Sequence, residues 1–110
     1  MQMKILSNYR ILGGCHVSPS PDGSKVVLDS LQHGKLSILL YDYKTGKMHT
    51  LCTQPRDLNV EKTDKNRLRR WTHGLKHYDV NAHPAFSRDS RRIIFNSCTN
   101  GQVRLCEIVL

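Results

Sequence analysis

Residues 16–35 read HVSPSPDGSKVVLDSLQHGK, and residues 83–102 read HPAFSRDSRRIIFNSCTNGQ. A shift of 67 positions lays residues 16–34 on 83–101 without a gap, and five of the 19 pairs are identical. These are His16 with His83, Ser20 with Ser87, Asp22 with Asp89, Ser30 with Ser97, and Gly34 with Gly101. The apolar triplet Val26, Val27, Leu28 falls on Ile93, Ile94, Phe95. Such self-similarity is weighed before any local reading, because a repeat changes which folds are open to the chain.

Each copy reads as strand, tight turn, strand, turn, strand. In the first, Pro21, Asp22 and Gly23 suit a turn: Pro presets φ, Asp bonds the local backbone, and Gly accepts positive φ. The β-branched run KVVLDS follows, then a turn at LQHGK, a third strand LSILLYDY, a hairpin turn KTGK and a fourth strand MHTLC. Four short antiparallel strands in about 40 residues describe one blade of a β-propeller. The second copy runs AHPAF, a turn at SRDSR, RIIFNS, a turn at CTNGQ and VRLCEIVL, and has no fourth strand. Near the start, MKIL and NYRIL are apolar segments without a blade of their own.

The fold expected is therefore all-β, with two four-stranded antiparallel blades of a β-propeller, the second incomplete, and a short basic helix or loop between them. The divisions are 1–14, a leftover outer strand of a neighbouring blade; 15–53, the first blade; 54–81, a basic connection; and 82–110, the second blade. Within the connection, Thr63 is an N-cap candidate, Leu68, Trp71 and Leu75 are near helical spacing, and Gly74 is a stop signal.

Composition sets outer bounds. The 110 residues, 38% hydrophobic and 24% charged, suit an ordinary globular domain, and no apolar run reaches the roughly 18 residues of a membrane helix. The start lacks a secretory pattern, and Cys15, Cys52, Cys98 and Cys106 are too widely spaced for a CxxC motif and too few for a disulfide scaffold. A cytoplasmic protein with no membrane partner is expected. The net charge of +8 favours anionic partners. Nucleic acid is not expected among them, because no known reading module accompanies the charge. No Ser-His-Asp arrangement, phosphate-binding loop or dinucleotide fingerprint is visible.

The residues SPSPDGSKVVLDS and HPAFSRDSRRIIFNS resemble the repeat of the TolB-like propeller families, which centres on Ser-Pro-Asp-Gly, a basic residue, an apolar run and a Ser or Asp. The second copy has Arg88 for Pro and Ser90 for Gly, so its turn is made with less favourable residues. The resemblance implies a fold and little about function, since propellers host many activities.

A narrower resemblance concerns His16 and His83, each six residues before an Asp. They look like positions where oligogalacturonate lyases, propellers that cleave pectin oligomers by β-elimination, place manganese ligands. Equivalent positions at the start of innermost strands point toward one central channel, so two imidazoles there can approach one divalent ion. The alternative is that each histidine bonds locally and stabilises its strand. Where that family has a further His and a Gln, this chain has Asn81 and Tyr78, with His77 and Asp79 nearby. The site is then altered, lost, or completed from outside the chain.

Arg69, Arg70 and Lys76 are the cations placed to grip an anionic oligosaccharide, with Trp71 to stack on a sugar; the competing reading is a solvated loop. Asp22 and Asp89 recur in both turns and are read as turn formers. No catalytic base is identified. Two blades cannot close a ring of about four to eight. The expected partners are therefore the remaining blades of a longer propeller, or further copies of this chain in a ring. For function two classes stand: a metal-assisted polysaccharide lyase relative, inactive as this piece alone, and a non-catalytic propeller scaffold.

Overall fold

The computed structural model describes residues 1–6, 16–32, 35–55, 82–99 and 102–110. Two antiparallel sheets account for the regular structure there. The first contains β1 (Val17–Pro19), β2 (Lys25–Gln32), β3 (Lys35–Asp42) and β4 (Lys47–Pro55), in that spatial order. The second contains β5 (Ala85–Phe86), β6 (Arg92–Thr99) and β7 (Gln102–Val109), also in order. The chain is all-β among the described residues, and the strands fall where turn chemistry and β-branched runs place them. Residues 1–6 form no strand, and Met1, Met3 and Ile5 are exposed. The basic helix or loop read over 54–81 lies outside the described residues beyond Pro55.

The first turn of each copy is built by the same atoms. Gly23 N donates to Ser20 O at 2.9 Å, and Ser90 N to Ser87 O at 3.0 Å. Ser20 and Ser87 then close the strand ends: Lys25 N donates to Ser20 Oγ at 2.9 Å and Arg92 N to Ser87 Oγ at 3.0 Å. Asp22 Oδ1 accepts from Ser24 N at 2.9 Å, and Asp89 Oδ1 from Arg91 N at 3.1 Å. Both aspartates are turn formers, as read. Gly23 sits at φ 71°, and Ser90 must take φ 59° at the same place. A side chain in that region is strained by about 1–2 kcal/mol, so the second turn is the less favourable one.

The repeat runs further than its identical residues do. Lys25 pairs with Asp42 and Arg92 with Val109, and every later pair of β2–β3 recurs in β6–β7 at the same 67-residue offset. β3 and β7 are therefore equivalent although LSILLYD and VRLCEIV share no residue in register. One departure is local. Val17 pairs with Leu28 in the first sheet, but the matching position in the second is Pro84, which has no N–H to donate, and β5 begins one residue later.

The core lies between the sheets. Val27, Leu36, Ile38 and Leu40 from one face of the first sheet pack with Ala82, Ile93 and Phe95, and Leu51, Cys52, Phe86, Cys106 and Ile108 fill its margin. Val27, Ile93 and Leu39 are wholly buried, each such side chain worth about 1.5–3 kcal/mol. Leu28, Leu39 and Tyr41, on the opposite face of the first sheet, are buried as well. The second sheet differs: its face away from the core leaves Ile94, Val103, Leu105 and Val109 exposed.

Candidate functional site

The two histidines singled out by the repeat meet. Their ring centroids are 3.7 Å apart with planes inclined at 39°. His16 lies just before β1 and His83 two residues before β5, so the contact of those two short strands brings the imidazoles together.

Asp29, in the middle of β2, organises the pair. It is 1% exposed, and its alternation with Val27 turns it toward the second sheet. Asp29 Oδ1 accepts from His16 N at 2.6 Å, while Oδ2 lies 3.1 Å from His16 Nδ1 and accepts from His83 N at 3.2 Å. Asp29 N in turn donates to His16 O at 3.3 Å. One buried carboxylate thus takes both backbone amides and one ring, which answers the cost of removing its charge from water. His83 is held at φ 46° and precedes Pro84, an unfavourable backbone state that the hydrogen bond from its N–H to Asp29 helps to fix.

Asp29 is the site residue that sequence reasoning missed. Its signal was an acid inside the run VVLDS, at a position whose alternation matches core-facing Val27. Asn96 stands at the equivalent place in the second copy and donates its N to Ala82 O at 2.8 Å.

A second polar contact joins the sheets farther out. Ser97 Oγ donates to Gln54 Oε1, tying β6 to β4. The turns are also linked, since Asp22 N donates to Ser90 Oγ at 3.3 Å.

Among the described residues, no group of three His, Cys, Asp or Glu is arranged to hold a metal ion. His16 and His83 supply two imidazoles, and the oxygens of Asp29 are already taken up by N–H groups. That donor set falls short of a metal centre. Arg69, Arg70, Trp71 and Lys76 lie outside the described residues, as do His77, Tyr78, Asp79 and Asn81. Among the described residues no helix is long and apolar enough to cross a membrane.

No protein-family model matches the chain, and no curated protein matches it. Among solved structures it is similar to the crystal structure of TolB from Acinetobacter baumannii, with a TM-score of 0.59 and 18% identity. The fold is TolB-like. The match covers 87% of this chain and 18% of that one, so the chain spans a small part of the length of the TolB it resembles. Nothing in these comparisons supports the narrower resemblance to oligogalacturonate lyases.

Proposed function

We propose that the chain forms two consecutive blades of a larger TolB-like β-propeller and serves as part of a non-catalytic binding scaffold. The observation that carries the two-blade part of this reading is a mismatch in coverage between equivalent faces. Val27, Leu36 and Ile38 of the first sheet are covered by the second sheet, and their counterparts at the 67-residue offset are Ile94, Val103 and Leu105. Those are 37%, 50% and 75% exposed. A face that receives a sheet in one copy is repeated, bare, in the next. Head-to-tail stacking of this kind ends in a closed ring where the rotation per unit allows it. Another blade of the same type fits the bare face.

The test is the solution mass of the purified chain by light scattering across a concentration series. Association that Leu105→Glu suppresses is expected. A monodisperse monomer at every concentration, indifferent to that substitution, would sink the reading.

A second reading is favoured by one contact. Asp29 engages His16 through Nδ1, the arrangement by which a carboxylate orients a metal-ligating imidazole and leaves Nε2 outward. In this reading His16 and His83 are two ligands of a divalent ion such as manganese, completed by donors from residues 77–81 or from another blade. Arg69, Arg70 and Lys76 then bind an anionic oligosaccharide, with Trp71 against a sugar ring. Metal analysis after incubation with manganese and dialysis tests it: retention lost in His16→Ala supports it, and no retention by the unaltered chain ends it.

A further inference from the structure

Two of the cysteines face each other's sheet. Cys52 on β4 pairs with Ile38, and Cys106 on β7 pairs with Phe95. Ile38 and Phe95 belong to the same buried cluster, one from each sheet, and both cysteines pack against that cluster from its margin. The Ser97–Gln54 hydrogen bond fixes β4 against the second sheet two residues from Cys52. Both thiols are free and half-buried, so small reagents have access to them.

We propose that Cys52 and Cys106 form a reversible disulfide that staples the two sheets together. The co-reactant is a small-molecule disulfide such as oxidised glutathione. One cysteine thiolate attacks it, releasing one glutathione thiol and leaving a mixed disulfide; the second cysteine displaces the other glutathione thiol and closes the protein bond. Two protein thiols are oxidised, one glutathione disulfide is reduced to two thiols, and the two cysteine protons end on the released thiols.

The surroundings set the character of the reaction. Burial raises the pKa of Cys52, and the charge that Cys106 carries when ionised raises it further, against a lowering bond from Ile38 N. Little Cys52 thiolate is present at neutral pH, so its attack is slow there and quickens in alkaline buffer. The bond would close a long loop across the interface and restrict the unfolded chain.

The experiment treats the folded, full-length chain with oxidised glutathione at pH 8, then digests it without reduction for peptide mass mapping. A linked peptide pair containing Cys52 and Cys106 is expected, absent after dithiothreitol and absent in both Cys52→Ser and Cys106→Ser. The oxidised chain should melt several degrees higher than the reduced one. Separate glutathione adducts on the two cysteines, or links to Cys15 or Cys98 instead, would overturn the proposal. Mapping the unaltered chain does not depend on the variants folding.

Discussion

Asp29 and His83 stand 54 positions apart in sequence, and a 3.2 Å hydrogen bond joins the carboxylate of one to the amide of the other. Because the same carboxylate also holds His16, it closes a contact between the first residues of both repeats. Asp29→Ala leaves two amides without their acceptor in a buried place and is expected to cost roughly 2–4 kcal/mol. Asp29→Asn keeps one acceptor oxygen but turns an NH2 group toward an N–H, and should recover only part of the loss. Urea unfolding at neutral pH measures both; an Asp29→Ala midpoint equal to the parent's would show that the carboxylate does not hold the sheets.

The turns offer a test in the stabilising direction. Ser90 holds φ 59° where the first copy has Gly23 at φ 71°. Ser90→Gly removes that strain and gives up only a 3.3 Å exposed bond from Asp22 N. A gain of about 0.5–1 kcal/mol is expected after the extra flexibility of glycine in the unfolded chain is counted. Gly23→Ala has open space around the added methyl, so its expected loss of about 1 kcal/mol comes from the backbone alone. Thermal melts of the two variants should move in opposite directions.

Acid should find the same turns. Three hydrogen bonds from Ser20 and Ser24 hold the Asp22 carboxyl down at about 2, and Ser87 and Arg91 lower Asp89 in the same way. A carboxyl that ionises more readily in the fold stabilises it fully above the usual aspartate range, and that contribution is lost as pH falls through the folded value. Stability should therefore decline between about pH 4 and pH 2. Asp22→Asn should flatten that decline; an unchanged acid limb would place the sensitivity elsewhere. Both groups are solvent-exposed, so the effect is expected to be modest and salt-dependent.

The repeat, its turns and the strand order were legible because they rest on local chemistry: Pro21 and Gly23 set a turn wherever they fall. The meeting of His16 and His83 was legible too, since equivalent residues of stacked repeats are neighbours. Asp29 was not, because its role depends on a partner 54 residues away that no local rule supplies. The equivalence of β3 and β7 was hidden for a related reason. Backbone pairing preserves register whatever the side chains, so Leu39 and Cys106 share a position without sharing a residue type. The bare face of Ile94, Val103 and Leu105 looked like ordinary strand alternation. Only the burial of its counterpart, Val27, Leu36 and Ile38, against the second sheet sets it apart.

The same packing predicts how the chain unfolds. Ile93 is wholly buried and comes from the second sheet, whereas most of the cluster it fills belongs to the first. Ile93→Ala should cost about 2–5 kcal/mol by lost transfer energy and the cavity left behind. If the sheets are one cooperative unit, that loss shifts a single transition, seen alike by circular dichroism and by hydrogen exchange of the β6 and β7 amides. Should the first sheet survive after those amides have exchanged, the apolar contact between the sheets would be too weak to couple them. The second sheet would then need a neighbour on its bare face to stay folded.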